Sequence, residues 1–252
     1  SLTMNGGEIG LGTILLLSLL PVAGNLIGVA LAEWKKPPDW LTGGALHAAA
    51  GIGTAVATVE LIPRGQERIE IWMLAAAILA GGIVAIGLAR LTRYAKAKLA
   101  NKPVRATTWG AFAAVGIDLL SDGLMTGSGG AVSANLGLLL ALSQVLGNLP
   151  GGFAVAAGFR SANVDRGERL RAMALYPFLP VIGALIGFLL LKDAGDMLIG
   201  VTLAVFGGLL LTATVEDIVP EADERGAPRR ISSPSFAAGF ALLLLMSAYL
   251  GG

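Results

Sequence analysis

The chain has 252 residues, of which 55% are hydrophobic and only 14% are charged. A soluble domain usually carries roughly 25% charged residues, so this chain lacks the charge needed to cover a water-facing surface. The sequence contains no cysteine and a single histidine, and its formal net charge is +1. These counts exclude disulfides, thiolate chemistry, a zinc site built from several histidines of one chain, and a basic surface for nucleic acid.

Hydrophobic residues occur in eight runs, each close to the roughly 20 residues that one bilayer-spanning helix needs. The connections between the runs are short, and none indicates a separate soluble domain. We therefore predict an all-α integral membrane protein whose residues 1–252 form a single transmembrane domain. The predicted spans are, in chain order, 9–32, 40–62, 71–91, 106–126, 131–158, 172–191, 195–215 and 233–250.

Basic residues concentrate in alternate connections, and this asymmetry predicts the orientation of the chain. The first, third, fifth and seventh connections hold 15 of the 18 basic residues. Because positively charged connections favour the cytoplasmic side, we expect these four inside and both termini outside. The residues are Lys35, Lys36, Arg90, Arg93, Lys96, Lys98, Lys102, Arg105, Arg160, Arg166, Arg169, Arg171, Arg225, Arg229 and Arg230, against Arg64, Arg68 and Lys192 on the other side.

Two carboxylates lie deep in the predicted fourth span. Asp118 and Asp122 are four residues apart, so a helix places both on one face, with Ser121 beside them. Ionisable groups inside a membrane are costly and usually mark a pathway or a buried pair. No lysine or arginine lies at the centre of any predicted span. The two carboxylates are therefore expected either to share a proton as a structural pair or to hold a cation.

The predicted fifth span carries a complementary polar face. Gln144 and Asn148 are one helical turn apart, and Pro150 leaves the carbonyl of Leu146 without its helical hydrogen bond. Together with the fourth-span carboxylates, these groups would form an oxygen-rich site that suits Mg, Mn or Fe(II) better than zinc. The alternative is that the two amides only join helices by hydrogen bonds.

The polar residues of the second and seventh spans each have two possible roles. His47 in the second span is either a hydrogen-bonded helix contact or a ligand or proton relay, and Glu60 lies near the outer end of the same span. We group these two as candidates for an access path or relay. Glu216, Asp217 and Glu221 at the end of the seventh span are either solvated charge or a cytoplasmic exit route that attracts cations.

Short motifs in five spans agree with one known family. They are HAAAG at 47–51 with ELIP at 60–63, DLLSDG at 118–123, GNLPGGFAVA at 147–156, PVIGALIG at 180–187 and EDIVPEA at 216–222. The chain resembles the ZIP family of divalent-metal transporters over nearly its whole length. That resemblance implies eight spans with both termini outside, the same topology that the charge distribution predicts independently.

The chain departs from the family at most metal-ligand positions. Asp118 and Asp122 stand in place of the fourth-span histidine and glutamate, while Gly147 and Gly151 replace the corresponding pair of the fifth span around a retained Asn148. The family's histidine-and-glutamate centre therefore cannot form in its usual way. The resemblance leaves Asp118, Asp122 and Asn148 as metal ligands, with Ser121 and Gln144 as additions. Further departures are Leu119, Ser121, Leu179 and Gly53.

The combined expectation is a transporter, not an enzyme, that moves a divalent cation such as Zn, Fe or Mn toward the cytoplasm. Alternating access would occur around a site between spans four and five. No tightly bound cofactor is expected beyond the transported cation, and the partners are the lipid bilayer and the metal ion, without nucleic acid. A homodimer would accord with the resemblance, and the expected location is a prokaryotic inner membrane.

Two alternatives remain open. Because two glycines stand where the family has large ligands, the chain could be a ZIP-fold permease for a substrate other than a transition metal. If Asp118 and Asp122 are a structural pair, the chain could instead be a membrane partner or sensor that transports nothing.

Overall fold

The computed structural model of the chain describes residues 10–34, 38–100 and 103–250. Within these ranges the chain forms eight helical segments and no strand. The segments are α1 (Leu11–Trp34), α2 (Asp39–Gln66), α3 (Ile71–Ala100), α4 (Val104–Val132), α5 (Ala134–Ser161), α6 (Arg166–Leu191), α7 (Asp196–Glu224) and α8 (Arg229–Leu250). Each predicted span lies mostly on one of them, and the fifth, 131–158, begins at the last residues of α4.

Seven of the eight described segments are long and apolar enough to cross a membrane. The exception is α4. It has 29 residues and is about 43 Å long, so its length is sufficient. Its hydropathy is lower because it contains Asp118, Asp122 and many glycines. The outward faces are apolar, as Trp72, Leu79 and Ile83 of α3 illustrate by their exposure. These features confirm an all-α, multi-pass membrane protein, and the crossing of α4 stays a prediction.

The connection between α4 and α5 is shorter than the sequence predicts. Residues 127–130, expected to form the turn, are helical, and only Ser133 separates the two helices. The Leu136 backbone N–H donates to the Ser133 Oγ at 3.2 Å, which caps α5. The glycines of this stretch serve packing, since Gly129 lies against Leu140 of α5.

Helices α2 and α7 each continue past the end predicted for them. Both contain a π-helical turn, at Val56–Leu61 in α2 and Thr214–Ile218 in α7, and each turn leads into a short α-helix with proline at its start. The four-residue sequence Ala-Thr-Val-Glu occurs at both places, at 57–60 and 213–216. The acidic residues of the seventh span therefore lie on a helix. The π-helical turn accommodates the proline that follows it, so the helix continues past the proline.

Glycines join the helices in four closely packed pairs, α1 with α5, α4 with α6, α2 with α8 and α3 with α7. In the second pair, a Cβ on Gly123 of α4 would overlap the carbonyl oxygen of Pro180, and one on Gly183 of α6 would overlap that of Leu120. Side chains are excluded there because the helix backbones touch. Small residues at the contact are the usual means of joining helices in lipid.

These pairs assemble into two four-helix groups. Helices α1, α4, α5 and α6 contact one another most densely, as do α2, α3, α7 and α8, with fewer contacts between the groups. An apolar cluster bridges them, including Ile52 of α2, Met125 of α4 and Leu203 of α7. The predicted site residues on α4 and α5 belong to the first group, and the predicted exit residues on α7 belong to the second.

Some predictions concern residues outside the described ranges. Lys35, Lys36 and Lys102, which contribute to the orientation argument, lie outside them, as does the side chain of Lys96. The ends of the chain, 1–9 and 251–252, lie outside them too. The orientation and the single-domain assignment of 1–252 stay predictions.

Candidate functional site

Asp122 and Asn148 meet at the contact between α4 and α5. The Asn148 Nδ2 donates to Asp122 Oδ2 at 2.6 Å and also to the Gln144 backbone carbonyl at 2.9 Å. Asn148 is only 3% exposed, and Asp122 is half-buried. Both residues lie near the middle of their helices, so the contact places a carboxylate and an amide together deep in the bundle.

Gln144 strengthens the same contact from one turn away. Its Nε2 donates to the Asp122 backbone carbonyl at 3.2 Å, and its Oε1 accepts from Thr126 Oγ1 at 3.0 Å. Sequence reasoning missed Thr126, although Thr126 follows Asp122 by four residues and therefore lies on the same face of α4. Three of the five predicted ligands, Asp122, Gln144 and Asn148, are thus joined in one polar network.

Among the described residues, Asp118 and Ser121 make none of the hydrogen bonds of that network. Asp118 is exposed in the fold, and the negative charges of Asp217 and Glu221 on α7 act on it. Asp118 in turn acts electrostatically on Asp122. The four carboxylates therefore form a series that leads from the contact of α4 and α5 toward the end of α7. Ser121 is half-buried and takes no part in these hydrogen bonds.

An acidic cavity of about 670 Å³ opens where that series ends. Arginines partly neutralise its wall, since Arg93 Nη1 lies 3.2 Å from Glu216 Oε2 and Arg225 Nη2 lies 3.5 Å from Glu221 Oε1. Carboxylates still outnumber arginines, so the cavity remains attractive to cations. Its lining residues are Asp39, Arg93, Glu216, Asp217, Pro220, Glu221, Glu224 and Arg225.

Two glycines of α5 flank the polar network, and one of them leaves open space. A Cβ on Gly147 would have no described neighbour within 4 Å, and Gly147 is exposed. A Cβ on Gly151 would lie 3.3 Å from Val115 Cγ2 of α4. These are the positions where the family motif has its large ligands, so the chain lacks donor atoms at both and has open space only at Gly147.

His47 joins α2 to the end of α7. Its Nδ1 is 2.8 Å from the Gly43 backbone carbonyl, and its Nε2 is 3.2 Å from Asp223 Oδ1. A carbonyl can only accept, so the ring donates from Nδ1 in the contact with Gly43. The side chain is 7% exposed. The geometry favours a role for His47 as a hydrogen-bonded contact between helices over a role as a ligand.

Glu60 is a buried carboxylate at the opposite end of α2. It is 3% exposed, accepts from Arg64 Nε at 3.0 Å through Oε2, and accepts from Ser247 Oγ of α8 through Oε1. Thirteen helical residues, about 20 Å, separate Glu60 from His47. The two candidates for an access path or relay therefore lie in opposite halves of α2.

The described residues contain no group of three or more histidine, cysteine, aspartate or glutamate side chains close enough to hold a metal ion. A cation at the contact of α4 and α5 would therefore need amide, backbone or water oxygens in addition to carboxylate. Such oxygen ligands are those that hard divalent cations prefer.

Asn25 of α1 is a polar residue that sequence reasoning missed. Its side chain is completely buried, and neither its Nδ2 nor its Oδ1 has a hydrogen-bond partner among the described residues. The available signal was a lone amide inside an apolar run, since polar groups in spans usually have a purpose. Asn25 lies against α5, where its backbone carbonyl contacts Gly152.

Comparison with known proteins supports the family resemblance. No protein-family model matches the chain. The zinc transporter ZupT of Corynebacterium aurimucosum is 27% identical over 230 residues, and the match covers 83% of this chain and 87% of that protein. The similarity thus extends through almost the whole helical bundle, as the motif resemblance does. The chain is accordingly a multi-pass integral membrane protein, and its similarity to this zinc transporter supports the resemblance to the ZIP family.

Proposed function

We propose that the chain is a transporter, not an enzyme, and that it moves a divalent metal cation across a bacterial inner membrane toward the cytoplasm. The observation that carries the proposal is the 2.6 Å contact between Asn148 Nδ2 and Asp122 Oδ2 deep in the bundle. The relationship to a protein named a zinc transporter supports the same function. Zinc is therefore one candidate cargo, with iron and manganese as others.

The proposed site lies between α4 and α5, with Asp122 as its charged ligand. Asn148 presents its Nδ2 to Asp122, so a bound cation would require the Asn148 amide to turn and offer its oxygen. Gln144 and Ser121 are additional oxygen donors, and Asp118 supplies a second negative charge. Because none of these ligands is nitrogen or sulfur, the set favours manganese or iron(II) over zinc.

The proposed exit follows the series of carboxylates. A cation leaving Asp122 would pass Asp118, which already experiences the charges of Asp217 and Glu221, and would reach the acidic cavity. Asp118 and Asp122 belong to one four-helix group and the exit residues to the other. Movement of one group against the other would open the site alternately to the two sides, as in other transporters with a midplane site.

Uptake into liposomes tests this function. Purified protein is reconstituted and assayed with Zn, Mn, Fe(II), Co and Cd, beside Asp122→Asn and the control Asp193→Asn, which changes an exposed carboxylate in the connection between α6 and α7. We expect uptake of at least one metal, a loss of tenfold or more in Asp122→Asn because the cation loses its charged ligand, and no change in the control. Full transport by Asp122→Asn would contradict the site.

Two other functions are distinguished by the same assay. A protein that transports nothing is favoured by the hydrogen bonds of Asp122, Asn148 and Gln144, which satisfy one another without an ion. A permease for a different substrate is favoured by the open space at Gly147. Absence of uptake for all five metals would reject metal transport and favour one of these two.

A further inference from the structure

A second cavity, of about 440 Å³, lies where α2, α7 and α8 meet at one end of the bundle. It shares no lining residue with the acidic cavity, and the transport proposed above uses none of its side chains. Its volume lies within the roughly 300–1,000 Å³ of sites that bind small molecules. The cavity is therefore a candidate site for a ligand other than the transported cation.

Three hydrogen-bond donors of α8 line one side of this cavity. Arg229 is the first residue of α8, and Ser232 and Ser233 follow it by three and four residues, so all three share one face of the helix. Ser232 is only 6% exposed, yet its hydroxyl has no hydrogen-bond partner among the described residues. Buried polar groups are nearly always hydrogen-bonded, so a free hydroxyl beside a cavity indicates a ligand. A guanidinium, two hydroxyls and a helix N-terminus suit a phosphate group.

One carboxylate faces the same cavity. Asp223, near the end of α7, is exposed, and its partner among the described residues is His47, whose Nε2 lies 3.2 Å from Asp223 Oδ1. A carboxylate has about four acceptor sites on its two oxygens, so Asp223 can accept from a further donor. Beside a phosphate site, Asp223 repels a purely anionic ligand and attracts one that also carries an ammonium group. The charges of the wall therefore favour a zwitterionic ligand.

The deeper wall of the cavity is apolar. Phe236 lies seven residues beyond Arg229 on α8, which is about 10 Å along the helix. Val219 lies four residues before Asp223 on α7, which is about 6 Å along the helix. Since α7 ends and α8 begins at this end of the bundle, both apolar side chains lie on the inner side of the polar groups. The wall thus changes from charged to apolar with depth, as a phospholipid does from headgroup to acyl chain.

We propose that this cavity binds a phospholipid whose headgroup carries both a phosphate and a primary ammonium group, as phosphatidylethanolamine does. Arg229, Ser232 and Ser233 bind the phosphate. Asp223 accepts from the ammonium group, and Phe236 contacts the acyl chains. Pockets with basic residues between transmembrane helices are established sites for lipid headgroups. The proposal is independent of metal transport, because the cavity is separate from the proposed cation site and exit.

Native mass spectrometry of the full chain in detergent, titrated with three lipids of identical acyl chains, tests the proposal. The lipids are phosphatidylethanolamine, phosphatidylglycerol and phosphatidylcholine. We expect phosphatidylethanolamine to bind most tightly, because phosphatidylglycerol lacks the ammonium group and the quaternary ammonium of phosphatidylcholine has no hydrogen to donate. Equal binding of the three, or tightest binding of either other lipid, overturns the proposal.

Two substitutions test the two charges of the headgroup separately. Asp223→Asn should abolish the preference for phosphatidylethanolamine over phosphatidylglycerol. Arg229→Gln should weaken binding of phosphatidylethanolamine about tenfold, because the phosphate loses a charge-assisted hydrogen bond. The matched control is Arg230→Gln, which changes an exposed neighbour that does not line the cavity and should bind as wild type does. Equal effects of the two arginine substitutions, or an unchanged preference in Asp223→Asn, overturn the proposal.

Soluble phosphoethanolamine distinguishes a lipid from a free compound with the same headgroup. We expect it to bind much more weakly than the lipid, because it has no acyl chain to contact the apolar wall. Binding as tight as that of the lipid overturns the assignment to a phospholipid. An unfolding temperature equal to wild type in all three variants is expected, because the substituted side chains are exposed. That result excludes unfolding as the cause of weakened binding.

Discussion

At the scale of single residues, Glu60 shows how this chain stabilises a buried charge. Its carboxylate accepts from Arg64 one turn later and from Ser247 of α8, so both oxygens are satisfied. Arg64 is partly exposed, with a side-chain accessibility of 24% against 4% for Glu60. A buried carboxylate that loses its partner stays charged without compensation, which is costly.

Removing Arg64 should therefore destabilise the protein more than removing the charge of Glu60. We expect Arg64→Met to lower the free energy of unfolding by about 3 kcal/mol, the lower end for a broken buried pair. Glu60→Gln should cost about 1 kcal/mol, because Gln retains an oxygen for Ser247 and leaves Arg64 free to reach solvent. Chemical denaturation in detergent measures both.

Equal losses in the two variants would contradict the structural role of this pair. A loss of metal uptake by Glu60→Gln with unchanged stability would instead assign Glu60 to an access path for the ion. The uptake assay of the two variants therefore decides between the two interpretations of this residue.

At the scale of helices, the close pairs depend on glycines whose Cα hydrogens face a neighbouring backbone. Lipid chains are as apolar as leucine, so hydrophobic burial alone does not choose which helices pair. The close approach of two backbones determines which helices pair. A methyl group at such a position must push the helices apart. The α3 glycine Gly87 is different, because a Cβ there would meet no described atom within 4 Å.

Gly123→Ala and Gly87→Ala form a matched pair that tests this explanation. We expect Gly123→Ala to lower the free energy of unfolding by about 1–3 kcal/mol through overpacking, because its Cβ would overlap the Pro180 carbonyl oxygen. Gly87→Ala should leave stability unchanged or raise it by up to about 1 kcal/mol, since alanine favours helix. Thermal unfolding in detergent measures both, and similar effects of the two substitutions would refute the argument.

At the scale of the whole molecule, the orientation in the membrane follows from charge and is open to direct measurement. The first, third, fifth and seventh connections between the predicted spans hold 15 of the 18 basic residues, so they are expected in the cytoplasm. The chain contains no cysteine, so single introduced cysteines can report the side of each connection without background labelling.

Ser161→Cys and Gly195→Cys place one label site on each predicted side. Both positions are exposed, Ser161 at the end of α5 and Gly195 before α7. With a membrane-impermeant maleimide on intact cells, we expect Gly195→Cys to react at once and Ser161→Cys only after the membrane is opened. The reverse result would invert the orientation and with it the predicted direction of transport.

Much of the candidate site follows from the sequence because spacing on a helix is a local property. Asp122 and Asn148 were expected on facing helices, and the structure joins them. Asp118 was expected in the same cage but lies beside the charges of α7. Residues one turn apart share a face, yet only packing decides which of them reaches a given neighbour.

The sequence by itself determined the membrane class and the approximate positions of the helical segments. Run length and hydropathy are local, and each helix satisfies its own backbone hydrogen bonds. Only the tertiary structure decided which helices pair, that the Glu60 carboxylate accepts a hydrogen bond from Ser247, and that the buried Asn25 amide lies near Gly151. The physical reason is that apolar faces are nearly equivalent in lipid, so pairing depends on close backbone contact between distant segments.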